Sequence, residues 1–359
     1  MAVASLPLRP PLAPMLARLV RELPIGDYVY EPKWDGFRAI IFRDGDEVDI
    51  QSRHERPMAR YFPELVAAVR MLPVERIVVD GEIIVVRDGQ FDFAALMLRT
   101  HPAPTRVLQL SAAAPATFIG FDLLLADDDD LRTTPFATRR RRLVTLLEGA
   151  TGRVVLTPAT DDRSEAERWL SHFTGGGVDG VVAKHRSMRY EPGRRAMLKV
   201  KVERTADCVV AGFRAFPGGE LASLLLGLYD EGGVLRHVGV CSAFSRARRR
   251  ELFEELIGVA APLEGHPWEL GFGLEGSPVG RLKGSAGRWD PGMSMDWMPI
   301  TPVVVEVAYD TIDGRRLRHP AHFRRWRPDR EPRSCTFDQL ATTPTDAAAL
   351  LQEDIRSGA

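Results

Sequence analysis

The stretch Tyr30-Glu31-Pro32-Lys33-Trp34-Asp35-Gly36-Phe37-Arg38 places a lysine at the end of an extended segment, immediately before a turn. Residues 28–30 and 38–42 are rich in aromatic and β-branched side chains, so the pattern predicts two strands joined through Asp35-Gly36. A lysine fixed at such a position can act as a covalent nucleophile when neighbouring cations leave part of it neutral. A surface lysine beside a hairpin turn would give the same local pattern, so the interpretation depends on the motifs that follow.

Charged motifs recur along the next part of the chain, each on or beside a predicted strand. They are Ser52-Arg53, Asp80-Gly81-Glu82, Phe121-Asp122, the segment from Asp179 to Lys184, and the pair Lys199 and Lys201. Charged side chains on strands with a buried face cost stability unless they are paired or bind a ligand. Several such motifs in one domain are therefore better explained by a ligand site than by folding requirements.

The spacing of two lysines indicates the kind of ligand. Because side chains alternate along a strand, Lys199 and Lys201 point the same way, about 7 Å apart. That spacing suits a phosphate group. Glu82 and Asp179 carry the carboxylates that a hard divalent cation prefers.

Composition limits the class of protein. The chain has 359 residues, and 48 Lys plus Arg nearly balance 49 Asp plus Glu, for a formal net charge of −1. The length fits roughly two domains of about 150 residues each. The near-neutral balance argues against a purely electrostatic nucleic-acid binder but permits a local basic groove. The three cysteines, Cys208, Cys241 and Cys335, have no close spacing, which argues against a cysteine-type zinc site and a disulfide framework.

The two halves of the chain differ in the order and spacing of their predicted strands and helices. After residue 203 come three regularly spaced strands, a helix over 245–257 and two further strands, a pattern that makes a small OB-fold barrel the leading candidate. No uninterrupted apolar segment is long enough to cross a bilayer. We expect a cytoplasmic protein without a membrane partner.

These motifs resemble those of the covalent nucleotidyltransferase superfamily, which includes DNA ligases, RNA ligases and mRNA capping enzymes. The chain is most similar to compact bacterial ATP-dependent DNA ligases of the ligase C type, known from actinobacteria. The resemblance extends to Arg325-Trp326-Arg327-Pro328-Asp329-Arg330, which is similar to the family's C-terminal R-x-R-x-D-K element. It implies an α+β fold, with an adenylation (nucleotidyltransferase) domain of the ATP-grasp-like type over residues 1–203 and an OB-fold β-barrel domain over residues 204–359.

The resemblance also implies roles in a nucleotide site. Lys33 would attack the α-phosphorus of ATP to form lysyl-AMP, and Lys199 and Lys201 would grip the α-phosphate. Glu31 would read the adenine amino group and Phe121 would stack on the base. The remaining nucleotide contacts would come from Arg38 and Arg53 on the ribose or the 5′-phosphate of the nick, from Lys184, and from Arg325, Arg327, Asp329 and Arg330, the last three orienting pyrophosphate.

A second set of implied roles concerns the later steps and the metal. Glu82 would bind the ribose or a metal, and Asp179 a metal. Asp35 would assist these two with Mg²⁺ or Mn²⁺ while AMP passes to the 5′-phosphate and the 3′-hydroxyl seals the nick.

The sequence departs from the family pattern at three positions. Glu55 stands where the family usually has glycine after Ser52-Arg53, Asp179 replaces a more frequent glutamate, and Arg330 replaces a lysine. These changes leave every charged functional group in place. Activity is still expected.

Two alternative functions stay open on the sequence. One is an RNA ligase or capping-type nucleotidyltransferase, which would share the lysine chemistry. The other is an inactive OB-type DNA-binding module. The partners expected under the ligase interpretation are nicked duplex DNA and, in a bacterial nucleoid, repair polymerases or other repair proteins, with a monomer as the expected state.

Overall fold

The computed structural model describes residue 3 and residues 5–101, 103–148, 152–173, 177–271, 297–310, 312–340 and 350–351, with Asp313 described by its backbone alone. The chain forms two compact units. Unit 1 comprises Met1–Val202 together with Pro344–Ala359, and unit 2 comprises Glu203–Thr343. Within the described residues, no helix is long and apolar enough to cross a bilayer.

The described residues of unit 1 form strands and five α-helices. Its strands are β1 (Ala17–Leu19), β2 (Tyr28–Trp34), β3 (Phe37–Asp44), β4 (Glu47–Ser52), β5 (Arg76–Arg87), β6 (Gln90–Phe91), β7 (Ala116–Ala126), β8 (Asp129–Asp130), β9 (Val154–Leu156), β10 (Val178–His185) and β11 (Met197–Val200). Its helices are α1 (Pro63–Arg70), α2 (Phe93–Leu98), α3 (Pro104–Ala113), α4 (Phe136–Leu147) and α5 (Arg163–His172).

Two sheets organise unit 1. The larger has the order β4-β3-β5-β7-β8, with β6 beside β5 and β9 beside β7, and the smaller has the order β1-β11-β10-β2. Helices α1 and α4 contribute Leu65 and Leu143 to the core on one face of the larger sheet. On the other face, Ile40 and Val78 pack with Leu6 and other residues from the start of the chain. Because both faces are covered, β5 and β7 are almost continuously apolar instead of alternating.

The structure joins two segments, 76–79 and 82–86, that the sequence pattern separates. They form the single strand β5, which runs extended through Asp80-Gly81-Glu82. Glycine is required here, because a Cβ at Gly81 would lie 2.4 Å from the carbonyl oxygen of Ile119 on β7. Helices α1 and α3 were not predicted, although each begins with a proline, which is favourable in a first helical turn.

Unit 2 is built on an antiparallel sheet with the order β14-β13-β12-β15-β18. Its elements are β12 (Arg204–Ala215), β13 (Leu221–Tyr229), β14 (Leu235–Cys241), α6 (Arg246–Ile257), β15 (Met298–Tyr309), β16 (Ile312–Asp313), β17 (Arg316–Leu317) and β18 (His322–Trp326). The amide of Ala321 donates to the carbonyl of Val240 at 2.8 Å, which brings the β14 edge to the start of β18 and curls the sheet toward a barrel. The second of the two strands predicted after the helix is thus two strands, β17 and β18, with Ala321 between them.

Two leucines near the C-terminus pack in unit 1. Leu351 is buried in a cluster with Trp34 and Val178, and Leu350 packs at its edge. The sequence analysis assigned residues 204–359 to the second domain, so these leucines lie apart from the unit expected for them. The domain boundary itself stays a prediction, since compactness does not establish that each unit folds alone.

Candidate active site

Lys33 lies on β2 and contacts a carboxylate on the neighbouring strand. Its Nζ is 2.9 Å from Oδ1 of Asp179, and the Nζ of Lys201, just past β11, is 3.0 Å from Oδ2. The two lysine side chains are each 24% exposed, so the cluster is open to a ligand. Three adjacent strands therefore bring together residues that are up to 168 positions apart, Lys33 and Lys201.

A bulge in β10 sets the position of Asp179. The register between β2 and β10 shifts between Val178 and Val181. Gly180 has a φ of +148°, and a Cβ there would lie 2.1 Å from the carbonyl oxygen of Val200. A side chain at this position would force β10 and β11 apart, so the Asp-Gly pair is needed for the carboxylate to reach both lysines.

The turn after Lys33 holds the second predicted metal ligand. The amide of Gly36 donates to Oε1 of Glu82 at 3.1 Å. A Cβ at Gly36 would lie 2.2 Å from the carbonyl oxygen of Ile83, so only glycine permits this approach. Burial raises the pKa of Glu82 to about 8, against the opposing charges of Lys33 and Arg38.

Arg38 is fixed by a residue to which the sequence analysis gave no role. Its guanidinium donates two hydrogen bonds to the fully buried carboxylate of Asp80, at 3.0 and 2.6 Å. The hydroxyl of Tyr190 donates to the same carboxylate at 2.7 Å. Burial lowers the pKa of Arg38, but the charge and hydrogen bonds of Asp80 outweigh burial and raise it. The guanidinium carbon lies 5.2 Å from the ring centre of Phe121.

Lys184 connects the two residues assigned to the base, Glu31 and Phe121. The Nζ of Lys184 is 2.7 Å from Oε2 of Glu31 and donates to the carbonyl of Phe121 at 2.8 Å. Both charged side chains are almost completely buried. Arg140 on α4, which the sequence analysis missed, lies 3.8 Å from Oε1 of Glu31. That oxygen has no hydrogen-bond partner among the described residues, so it retains an unused acceptor.

Lys199 and Arg53 complete the basic side of the site. Burial and the charges of Lys33 and Lys201 lower the pKa of Lys199. Arg53 is exposed, and its amide donates to the carbonyl of Arg38 at 3.1 Å. Glu55, where the family usually has glycine, keeps the left-handed conformation with a φ of +60°. The turn is therefore preserved despite the substitution.

The distal motif, which comprises residues 325–330, forms a separate cluster in unit 2. Asp207 on β12 is 2.9 Å from Arg327 and also pairs with Arg330. Hydrogen bonds from Arg327 lower the pKa of Asp329 to about 2. Arg325 instead pairs with Glu306 at 2.8 Å on the outside of the sheet. Asp207 was not identified from the sequence, because nothing in its local pattern indicates two arginines more than a hundred residues away.

The acidic residues fit a divalent cation that takes most of its ligands from elsewhere. Glu82 is partly buried, and burial raises its pKa despite the nearby charges of Lys33 and Arg38. Among the described residues, no group of three or more His, Cys, Asp or Glu could hold a metal ion. Mg²⁺ commonly uses one or two carboxylates together with water and substrate phosphates. Glu82 and Asp179 match that donor set.

Family models match both units of the chain. Residues 10–201 match the ATP dependent DNA ligase domain, and residues 217–330 match the ATP dependent DNA ligase C terminal region. The first match covers Lys33 and Asp179, and it also covers Lys199 and Lys201. The second ends at Arg330, the last residue of the distal motif.

Individual DNA ligases are similar to this chain over almost the full length of both proteins. DNA ligase C2 of Mycolicibacterium smegmatis is 51% identical over 344 residues, which cover 95% of this chain and 97% of that protein. DNA ligase C of Mycobacterium tuberculosis is 50% identical over 343 residues, covering 94% and 95%. A solved structure described as a Lig E DNA ligase has a TM-score of 0.55 at 20% identity, over 88% of this chain and 99% of that one, which supports the fold.

These similarities confirm the predicted fold class, an α+β nucleotidyltransferase domain followed by an OB-fold-like domain. Together with the arrangement around Lys33, they show that the chain belongs to the ATP-dependent DNA ligase family, as a bacterial ligase of the C type.

Proposed function

We propose that this chain seals 3′-hydroxyl/5′-phosphate nicks in duplex DNA, using ATP and a lysyl-AMP intermediate on Lys33. The observation that carries this proposal is the Lys33–Asp179–Lys201 cluster at the junction of β2, β10 and β11. It provides a nucleophile and a second cation, Lys201, in one partly exposed site, and the charges of both lysines also act on Lys199. Phosphoryl-type transfer depends mainly on such positioning and charge neutralisation.

In the first step, Lys33 Nζ forms a bond to the α-phosphorus of ATP while the bond from that phosphorus to pyrophosphate breaks. The lysine must lose a proton to attack. Oδ1 of Asp179, 2.9 Å from Nζ, is within reach to accept it. Lys199 and Lys201 then stabilise the charge that develops on the phosphate oxygens.

The base and ribose would be held on the other side of the lysine. The free Oε1 of Glu31 is suited to accept a hydrogen bond from the adenine amino group, and Phe121 offers a ring for stacking. Arg38, fixed by Asp80, and Arg53 would bind the ribose and later the 5′-phosphate. Lys184 orients Glu31 through its 2.7 Å contact.

Mg²⁺ or Mn²⁺ would be held by Glu82 and Asp179, and when bound would neutralise phosphate charge. Asp35 is proposed to assist in the same region. In unit 2, Arg325 would contact the nucleotide, and Arg327, Asp329 and Arg330 would orient pyrophosphate in the first step.

The later steps would transfer AMP to the 5′-phosphate and then join the strands with release of AMP. We further propose that the protein acts as a monomer in DNA repair, in the bacterial cytoplasm and on the nucleoid. Repair polymerases or other repair proteins are its proposed partners. The similarity to bacterial ligases of nearly the same length supports this assignment.

The test is incubation with α-³²P-ATP and Mg²⁺ or Mn²⁺, followed by denaturing electrophoresis. The wild-type protein should carry acid-labile label, Lys33→Ala should carry none, and Arg168→Ala, an exposed substitution on α5, should label normally. Labelled protein should then seal nicked DNA in preference to nicked RNA. Absence of label in wild type, after mass spectrometry has excluded AMP already bound, would refute the proposal.

A further inference from the structure

The residue following Lys33 and the residue preceding Asp179 share one buried cluster with a leucine from the end of the chain. Trp34, Val178 and Leu351 are 4%, 1% and 3% exposed, and they pack together with Ile84, Ile119 and Val155. Leu351 is 317 positions from Trp34 in the sequence. The C-terminal leucine thus completes a packing layer next to the proposed nucleophile.

Two of the strand residues in this layer, Trp34 and Val178, are direct partners across neighbouring strands. Trp34 on β2 is paired with Val178 on β10 in the sheet register. Since successive side chains on a strand point to opposite faces, Trp34 lies on the face away from Lys33. Trp34 therefore adjoins Lys33 in β2 while its own side chain packs in this cluster instead of contacting Asp179.

Trp34 is held on two other sides by specific contacts. Its ring stacks on Phe91 with centres 5.7 Å apart and an interplanar angle of 10°, and its Nε1 donates to Oγ1 of Thr157 at 2.8 Å. Leu351 supplies further apolar packing in the same cluster. If the Leu351 side chain is truncated, the indole of Trp34 can shift into the space that is left, and the backbone of Lys33 shifts with it.

We propose that Leu351 is a positioning residue for lysyl-AMP formation, acting on Lys33 through Trp34. This inference rests on the proposed function of Lys33. The position of Asp179 depends less on Leu351, because the bulge at Gly180 and the contact with Lys201 fix the Asp179 carboxylate separately. In-line attack is sensitive to small displacements, and a shift of about 1 Å lowers a rate by about 100-fold.

The experiment separates the first step from the last. Single-turnover lysyl-AMP formation is measured for wild type, Leu351→Ala, Leu351→Met and Leu340→Ala. Leu340 is a buried leucine of unit 2 and serves as the matched control. The same proteins are then given a nick whose 5′-end is already adenylylated, so that sealing forms no bond to Lys33.

We expect Leu351→Ala to slow lysyl-AMP formation at least tenfold, with the half-saturating ATP concentration unchanged because the base contacts are intact. Sealing of the pre-adenylylated nick should stay within twofold of wild type. Leu351→Met, which keeps the volume, should restore most of the rate, and Leu340→Ala should affect both steps equally or neither.

Two results would overturn the inference while leaving the proposed function standing. One is a wild-type rate of labelling in Leu351→Ala. The other is a parallel loss of both steps in Leu351→Ala and Leu351→Met, which would show a purely structural role. Failure of the wild-type protein to label at all would instead reject the proposed function.

Discussion

The carboxylate of Asp80 is fully buried and accepts both hydrogen bonds from the guanidinium of Arg38, at 3.0 and 2.6 Å. The pair joins β3 to β5, where Arg38 lies opposite Glu82 in the sheet register. Tyr190 donates to the same carboxylate, so its oxygens are well satisfied. Removal of the acid would leave a largely buried arginine without its counter-charge.

We therefore expect Asp80→Ala to lower the free energy of unfolding by about 3–5 kcal/mol, the usual effect of breaking a buried ion pair. The matched control is Asp129→Ala, whose side chain is 68% exposed and pairs with Arg142 at 3.0 Å. An exposed pair contributes at most about 1 kcal/mol. Urea unfolding would measure the loss of unfolding free energy in each variant. Equal losses in Asp80→Ala and Asp129→Ala would contradict the view that burial makes the Arg38–Asp80 pair important for stability.

Glu55 provides a prediction of increased stability. Its φ of +60° is a conformation that glycine adopts readily and a longer side chain does not. Glu55→Gly should raise the unfolding free energy by about 0.5–1 kcal/mol. His54→Gly, at an exposed neighbour outside the left-handed region, should lower it, and thermal unfolding of the two variants would distinguish these signs.

Much of the site could be predicted because its residues lie in short motifs. Lys33 was identified from its position before a turn, Lys201 from strand alternation, and Asp179 as one of two carboxylates suited to a divalent cation. The structure brings the three into contact. The boundaries of β11 also match the predicted segment 197–200. Local pattern suffices wherever a residue's role depends on its own strand or turn.

The residues that were missed act through partners distant in sequence. Asp207 binds arginines at positions 327 and 330, Arg140 approaches Glu31 across 109 positions, and Leu351 packs near Trp34. A lone Asp, Arg or Leu has no periodic signal that names its partner. Only the folded topology, which places β12 beside the distal motif, reveals these contacts.

Glu82 predicts how stability depends on pH. Burial raises its folded pKa from an ordinary 4.5 to about 8, so the folded state binds the proton more tightly than the unfolded chain does. The contribution of this group is therefore full below about pH 4.5 and is lost as pH rises toward 8.

Glu82→Gln, which stays neutral, should flatten that part of the stability profile. The measurement is urea unfolding of wild type and variant between pH 5 and 8, without added metal. Addition of Mg²⁺ should favour the ionised carboxyl and reduce the slope in wild type alone. An unchanged slope in Glu82→Gln would show that another group titrates in this range.

Asp207 predicts a defect confined to the step that involves pyrophosphate. Its carboxylate pairs with both Arg327 and Arg330, so Asp207→Asn removes the counter-charge that they share. Arg327 keeps its hydrogen bonds to Asp329, and Arg330 keeps those to Ser334. If these arginines orient pyrophosphate, displacement of about 1 Å should slow lysyl-AMP formation by about 100-fold. Microscopic reversibility requires the reverse reaction to slow as well.

The measurement is loss of label from preformed lysyl-AMP enzyme after addition of pyrophosphate. Glu306→Gln, which frees only the exposed Arg325, is the control and should show a much smaller effect. Rapid pyrophosphate-driven conversion of the labelled AMP to ATP by Asp207→Asn would show that the pair does not position these arginines for the first step.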